Sequence, residues 1–393
     1  MEDSLVRSIS SGLSQKGVRD HNGRLLLSLV QRHGSMPASD LAKLAGLSPP
    51  TVSSIVRLLE ADGLLERGTP VRGKVGKPSV PMRLAPDGAF SFGLKIGRRS
   101  AELVLMDFNG ALRHEREITY ATPKPQVILD FVEAGVESIV SNLPPDARQR
   151  ISGIGIAAPF ELWNSPQDGR NSAFPDWKDI DLRQAISACT RFEAMLLNDA
   201  TAACLAEHIY GRGKEFRDYA YFFIGAYIGG GIALNNAVYE GRQGNAGALG
   251  SLRSIGPNGE SMQLVDMASI RQLEQRLTEV DIDTRQLWEN PDSWSSLGRH
   301  IEPWIGQTAQ ELAKAAMSTC SVIDFEAIVI DGAFPPSVRE ELVARVRRYA
   351  ANQDIRGLIA PRIEAGSIGR KARAIGAATR PISAQFMLQG ALV

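Results

Sequence analysis

Four residues at fixed offsets, Ala42, Gly46, Val52 and Ile55, constrain this chain more than any other feature. They stand four, six and three positions apart. That spacing places a small residue where two short helices cross, a glycine where the backbone turns sharply, and two β-branched residues that anchor the second helix. The flanking periodicity agrees. Apolar positions at 25, 26, 27, 29 and 30 predict a helix over 24–33 that stops at Gly34. Leu41, Ala42, Leu44 and Ala45 predict a second, closed by Gly46, and Thr51 to Ala61 a third, with Val52, Ile55, Val56, Leu58 and Leu59 inward. Ser48 is the expected N-cap of that third helix, and Pro49-Pro50 is tolerated in a first helical turn. The spacing predicts a helix-turn-helix. Ser48, Thr51, Ser53, Ser54 and Arg57 are then the candidates for base edges and phosphates in a major groove. An ordinary three-helix bundle is the competing reading.

The following segment favours the first reading. Leu64 to Arg67 and Val80 to Leu84 predict two short strands around a loop rich in glycine and base. Between positions 64 and 84 stand Arg67, Arg72, Lys74, Lys77 and Arg83 against the single acid Glu66. This is the pattern of a wing. Arg72, Lys74 and Lys77 at its tip are candidates for a minor groove or for phosphates. Charge is distributed in the same sense: residues 1–90 hold 12 Lys/Arg against 8 Asp/Glu, although the whole chain of 393 residues is neutral. The first twenty residues are Ser-rich and are read either as a flexible arm or as a short dimer-contact helix.

Cys189, Cys204 and Cys320 lie far apart and are odd in number, which predicts free thiols in a reducing compartment. The acidic start, Met1-Glu2-Asp3-Ser4, has no apolar signal core. The uncharged run Tyr219 to Leu234 is broken by glycines at 225, 229, 230 and 231, and reads as buried strands joined by a turn. A cytoplasmic location is expected.

From Phe90 the pattern changes to a β-meander: Phe90 to Gly97, Ala101 to Asp107, and a third strand through Tyr120, followed by a helix over Val127 to Val140 and a buried strand over Ile151 to Ala157. The order then recurs. Ala194 to Leu197 is a short strand, Asp199 to Tyr210 a helix, and Tyr219 to Gly225 with Gly229 to Asn235 a Gly-rich hairpin. Late in the chain come a helix over 302–319, a strand over Ala327 to Ile330, a helix over 336–350 and a last helix near 367–380. Such a repeat implies an α/β architecture of two lobes around a cleft, with ligands bound at strand ends.

Here the residues carry a resemblance. The strand Gly153 to Pro159, the loop Phe174-Pro175-Asp176-Trp177, the run Leu197-Asn198-Asp199-Ala200-Thr201-Ala202-Ala203 and the segment Gly229-Gly230-Gly231 through Gly244-Asn245-Ala246-Gly247 occur in this order. Together they resemble the ROK family of repressors, open reading frames and sugar kinases, in its repressor branch. The resemblance runs from about residue 20 to 385. It implies an α/β fold class: a winged helix-turn-helix over 20–86, after an arm over 1–19, then a two-lobed, actin-like or ribonuclease-H-like sugar kinase fold over 87–393. In family kinases the Asn and Asp matching Asn198 and Asp199 hold sugar hydroxyls, and the Asp acts as base. The residues alone also allow Asn198-Asp199 to serve as a helix cap, and both uses can hold at once. The implied ligand site comprises Pro159, Asn171, Ser172, Asn198, Asp199, Gly230, Gly247, Ala248 and Ser251.

The chain departs from the kinase pattern where phosphate is handled. Lys95, Arg98 and Arg99 stand where kinases have an acid, a glycine and a threonine, Tyr227 stands in the second phosphate turn, and Asp331 faces the late one, where it is expected to repel an anion. Ala248 and Ser251 replace the Glu and His that grip sugar hydroxyls, and 252–264 lacks the Cys and His of the family's zinc loop. The expectation is a DNA-binding transcriptional regulator, a repressor of carbohydrate uptake or catabolism genes. Its expected partners are double-stranded operator DNA, a sugar or polyol effector and a second copy in a homodimer or tetramer. No zinc, other cofactor or enzymatic activity is expected. An active sugar kinase with a fused DNA-binding head, and a regulator controlled by a protein partner, are the alternatives.

Overall fold

The computed structural model describes residues 15–70, 80–160, 175–256, 258–289 and 292–388. They form two compact units. One holds the described residues up to Gly88 together with 383–388, and the other runs from Ala89 to Ile382.

The first unit contains α1 (Gln15–His33), β1 (Met36–Pro37), α2 (Ala38–Ala45), α3 (Pro49–Ala61), β2 (Leu65–Arg67) and β3 (Pro81–Leu84). The strands pair in the order β1-β3-β2, all antiparallel, with Leu65 opposite Leu84 and Met36 opposite Met82. Leu26, Leu27, Val30, Leu41, Val52, Ile55 and Leu59 close the core under this small sheet. The turn between α2 and α3 depends on Gly46, whose φ of 64° belongs to the left-handed region and whose backbone N–H returns to the carbonyls of Ala42 and Lys43. Two expectations need correction. Leu58 was expected inward and is 45% exposed, because it falls one helical step off the buried stripe of α3. α1 begins at Gln15, inside the stretch expected as an arm, while 1–14 lie outside the described residues. Residues 383–388 also belong to this unit rather than to the second one. Arg24 Nη1 donates to Ala384 O at 3.3 Å, and Leu388 N donates to Ser28 Oγ at 2.9 Å.

The second unit builds one sheet twice. The first copy has β4 (Phe90–Ile96), β5 (Ser100–Asp107), β6 (Leu112–Thr119), α4 (Pro125–Asn142), α5 (Pro145–Gln149), β7 (Ile151–Ala158), α6 (Leu182–Thr190) and β8 (Ala194–Asn198). α7 (Asp199–Tyr210) crosses to the second copy: β9 (Tyr219–Ile224), β10 (Ile228–Leu234), β11 (Ala237–Tyr239), the hairpin β12 (Arg253–Ile255) and β13 (Ser261–Gln263), α8 (Leu264–Met267), α9 (Ile270–Glu279), α10 (Gln286–Glu289), α11 (Glu302–Cys320), β14 (Ala327–Gly332), α12 (Pro336–Ala350) and β15 (Arg362–Ala365). α13 (Ala372–Phe386) is the last described helix, with 383–386 counted in the first unit. Among the described residues the sheet orders are β6-β5-β4-β7-β8 and β11-β10-β9-β14-β15. In each, a three-strand antiparallel meander is extended by two parallel strands.

The repeat expected from sequence is therefore present, with one boundary moved. β8 was read as opening the second repeat. It is instead the last strand of the first sheet, parallel to β7 with Ala194 opposite Ile154 and Asn198 opposite Ala158. That places Asn198 and Asp199 at the carboxyl end of a parallel strand, where α/β sheets present ligand groups. Gly229, Gly230 and Gly231 lie inside β10 rather than in a turn. A Cβ on Gly229 or Gly231 would run into Ala200 or Cys204 of α7, and one on Gly230 into Leu249, so the alternation of the strand serves two neighbours. α13 seats even more closely. Gly93 of β4 and Gly155 of β7 leave no room for a side chain beneath Ala374, Ala377 and Ala378, and Gly376 of α13 lies against the Ala202 backbone of α7. Ser91 Oγ donates to Ala378 O across the same seam.

Candidate functional site

In the first unit, the described residues expected to contact DNA lie at the start of α3 and along it. Ser48 caps α3 and accepts a hydrogen bond from Thr51 N at 3.4 Å. Ser48, Thr51, Ser54 and Arg57 are exposed, and Ser53 is half-buried. Two of the five cations counted around the wing are neutralised within the unit. Arg67 Nε lies 2.7 Å from Glu60 Oε1, and Arg83 Nε lies 2.7 Å from Glu66 Oε1. Arg72, Lys74 and Lys77 lie outside the described residues.

In the second unit, a cavity of about 270 Å³ opens where β7, β8 and β10 meet the start of α7. Pro159, Asn198, Asp199, Gly230, Gly247, Ala248 and Ser251 all line it. Asn171 and Ser172 lie outside the described residues. Asn198 performs the capping role, and its amide also reaches across the cavity. Its Oδ1 caps α7 by accepting from Ala200 N at 2.9 Å, and its Nδ2 donates to Asn245 Oδ1 at 3.2 Å on the cavity wall. Gly247 can only be glycine: its φ is 73°, and a Cβ would collide with the backbone of Gly231.

A second cavity of about 340 Å³ shares Pro159, Phe160 and Asn198 with the first. Its wall is mainly apolar, with Trp177, Ile180, Leu196 and Leu197. Trp177 is 1% exposed, and its Nε1 donates to Pro123 O, so it is primarily a core residue. Thr201 also lines this cavity, and its hydroxyl is buried without a partner.

Sequence reading named Arg98 and Tyr227 but missed Arg373 and Arg271, which the fold brings beside them at the first cavity. Arg373, in the first turn of α13, brings Nη1 to 3.3 Å from Asp199 Oδ2. Its guanidinium lies 4.9 Å from the centre of the Phe223 ring. Arg98 lies 4.6 Å above the Tyr227 ring, and Arg271 Nη1 donates to the Tyr227 hydroxyl at 2.6 Å. Burial draws the Arg98 guanidinium below its ordinary pKa, opposed by Tyr227 and by the Asp199 carboxylate. Burial likewise pushes the Tyr227 hydroxyl up.

Behind this layer Lys95 is directly opposite Glu102 across the β4–β5 pairing, with Nζ 3.0 Å from Oε1, and both are buried. Burial lowers the Lys95 pKa. Burial would raise that of Glu102, but Lys95 and Arg373 outweigh it and hold the carboxylate below its usual range. Asp331 does not face a ligand as expected. It is fully buried, pairs with Arg339 Nη1 at 2.8 Å and accepts from Gly332 N and Gly369 N, so it braces the turn after β14.

Phosphoryl transfer needs room for phosphates and a metal beside the reacting hydroxyl. In this cleft that region contains Arg98 stacked on Tyr227, the Lys95–Glu102 pair and Arg373 held on Asp199. The space left among Lys95, Arg98, Arg99, Arg370 and Arg373 is about 50 Å³. Among the described residues, no group of three or more His, Cys, Asp and Glu is arranged to hold a metal ion, and no helix is long and apolar enough to cross a membrane.

Comparison with known proteins agrees with this anatomy. A winged helix-turn-helix DNA-binding model matches residues 19–66, and the ROK family model matches residues 91–380. The xylose repressor of Bacillus spizizenii is 25% identical over 238 residues, which cover 61% of this chain and 62% of that protein. The crystal structure of a ROK family transcriptional regulator, a homologue of the Escherichia coli MLC protein, superposes with a TM-score of 0.67 at 20% identity, covering 94% of this chain and 97% of that one. A ROK family glucokinase from Streptomyces griseus, crystallised with glucose and AMPPNP, gives a TM-score of 0.57 at 20% identity over 74% of this chain and 99% of that one. At these identities the two structures speak for the fold, a winged helix-turn-helix joined to a two-lobed sugar-kinase fold. With the family model spanning most of its length, the chain belongs to the ROK family.

Proposed function

We propose that this protein is a DNA-binding transcriptional repressor of carbohydrate uptake or catabolism genes. Its kinase-like unit binds a sugar and transfers no phosphate. The carrying observation is the layer of Arg98, Tyr227 and Arg373 beside Asp199. A base whose carboxylate is engaged by a guanidinium, next to a phosphate region filled with side chains, has no phosphoryl group to act on. The cavity at the end of β8 keeps Asn198, Asp199 and Asn245 for hydroxyl groups.

The similarity to a xylose repressor supports the regulatory reading, and the exposed Thr51, Ser54 and Arg57 on α3 support operator DNA as the partner. Two-fold operators pair with two-fold proteins, which supports a homodimer presenting two α3 helices to a pseudo-palindromic operator, in the cytoplasm. Sugar changes operator affinity only if it binds one conformation of the protein better than another.

The test is a thermal-shift scan of the full chain against monosaccharides, polyols and disaccharides, each with and without Mg-ATP. A ligand at 100 times its Kd adds about 2.7 kcal/mol of stability. A shift with a carbohydrate, none with Mg-ATP alone and no sugar-dependent ATP turnover is the expected outcome. Turnover that is lost in Asp199→Asn would establish a kinase instead. No response to any carbohydrate would point to a protein partner.

A further inference from the structure

We propose that the second unit carries an electrostatic clasp between its two lobes. Cations on the turn before α13, mounted on the second sheet, close on carboxylates of β6 at the edge of the first sheet, and so set the angle of the cleft.

The first lobe supplies a row of charge with acid in excess. Lys95 of β4, Glu102 of β5 and Glu117 of β6 stand directly opposite one another across three antiparallel strands. Two carboxylates facing each other across a strand pair repel. Lys95 answers Glu102, with Nζ 3.0 Å from Oε1. Glu117 is answered from the other lobe, by Arg370 Nη1 at 3.6 Å from its Oε2. Glu115 lies two positions earlier on β6, on the same face, and pairs with Lys371 Nζ.

The cations leave from a fixed mount. The turn 366–371 follows β15 and is tied to the second sheet, with Gly366 N donating to Ile330 O at 2.8 Å and Gly369 N to Asp331 Oδ2 at 2.7 Å. Asp331 is fully buried, and so is Glu207 of α7, which accepts from Ser367 N at 3.0 Å and Ile368 N at 3.2 Å. Arg370 Nε also lies 3.6 Å from Asp292 Oδ1, so the guanidinium stands between acids of both lobes. Directly after Lys371 the chain enters α13, which seats on Gly93 and Gly155 of the first sheet. The clasp therefore stands where the chain passes from one lobe to the other, a place where small changes of backbone angle move whole lobes.

Reciprocal contacts lie beside it. Arg99, in the turn between β4 and β5, brings Nη2 to 3.2 Å from Glu274 Oε1 on α9, and Arg98 of the same turn stacks on Tyr227. The space left among Lys95, Arg99, Glu117 and Arg370 is about 50 Å³. A water takes about 30 Å³ of the liquid, so these groups meet each other rather than surround a ligand. Exposed ion pairs taken singly contribute little, but here several join the same two bodies, and opening the cleft breaks them together. The clasp acts whatever ligand the cavity takes.

The experiment is double electron–electron resonance on the full chain. Nitroxides are placed on Glu137→Cys of α4 and Ala344→Cys of α12, both exposed, in a Cys189→Ser background where the remaining thiols, Cys204 and Cys320, are buried. The unaltered charges should give one narrow distance distribution. Arg370→Glu with Lys371→Glu should broaden it and move its mean by more than about 2 Å. Adding Glu115→Lys and Glu117→Arg to that variant should restore most of the original distribution. Raising salt from about 0.1 M to 1 M, which shortens the Debye length from about 10 Å to 3 Å, should broaden the distribution of the unaltered charges. An unchanged distribution in the reversed variant overturns the proposal, because the lobes are then held without these pairs. So does a swapped variant that has native far-UV circular dichroism and stays as broad as the reversed one. Should the reversed variant not fold, Glu274→Gln with Glu117→Gln and the salt series decide: no broadening in either overturns the clasp, and broadening in both upholds it.

Discussion

The Arg373 guanidinium lies 3.3 Å from the Asp199 carboxylate, joining the first turn of α13 to the first turn of α7 on the wall of the cavity. Both side chains are largely buried, at 13% and 20% exposure. Asp199→Ala therefore removes the carboxylate proposed to hold a sugar hydroxyl and leaves a guanidinium without its counter-ion. The expected result is loss of the sugar-dependent rise in Tm, with operator binding retained in a fluorescence-anisotropy assay. A normal response to sugar would place the ligand elsewhere.

The Lys95–Glu102 pair makes a different prediction. Breaking a buried pair costs about 3–5 kcal/mol, whereas replacing both members with apolar residues is often close to neutral. Lys95→Met alone should lower the urea midpoint strongly, and Lys95→Met with Glu102→Leu should restore most of it. The pH dependence follows from the depressed Glu102 pKa. Its stabilising contribution is complete above the ordinary carboxylate value of 4.5 and is lost as pH falls through the lower folded value. The gap between the single variant and the unaltered protein should thus narrow in acid. A gap of equal size at pH 7 and in strong acid would count against the pair.

On α3, Arg57→Ala should weaken operator binding by about 1–3 kcal/mol if it reads a base, with the sugar response unchanged. Ser48→Ala removes the N-cap and should cost about 1 kcal/mol of stability in the first unit. Anisotropy titrations on an operator selected in vitro separate the two effects, because the cap loss appears in unfolding and the Arg57 loss in affinity. Unaltered affinity in Arg57→Ala would remove that residue from the interface.

A stop after Ile382 tests whether the first unit needs the end of the chain. It deletes the acceptor of Arg24 Nη1, the partner of Ser28 Oγ and the buried Met387. Burial of a side chain of that size is worth about 1.5–3 kcal/mol. The truncated protein should show a new, lower unfolding transition and lose operator binding before sugar binding. A single unchanged transition would show that 383–388 contribute nothing to the head.

The local parts of this architecture were legible in the sequence. Ala42, Gly46, Val52 and Ile55 act through spacing within one short segment, and the caps at Ser48 and Asn198 act over three residues. The doubled meander was legible because its first strands, β4 and β9, are buried along their whole length and read as nearly continuous apolar runs. β8 was assigned to the wrong repeat because a parallel strand carries no local mark of its partner. Leu58 was placed inward because an apolar residue beside the stripe looks like one within it. The seven described candidates around the cavity came from contiguous motifs. Arg373 did not, since it meets Asp199 across 174 positions of sequence and sits in a helix whose pattern says only that one face is apolar. Glu102 was available as a signal, for a lysine in a hairpin strand invites a search for the acid directly across from it.

The contact of α13 with Gly93 and Gly155, and of Gly376 with α7, has a mechanical consequence. Interlocked side chains resist rotation and allow movement only in steps of a helical turn, whereas backbone lying on backbone offers no teeth. Such a surface behaves as a bearing: the elements can swivel by small angles at little cost, but they cannot part or slide without opening a void. A closure of the cleft that kept this seam intact would have to pivot about it. A single methyl group at Gly155 or Gly376 would jam it.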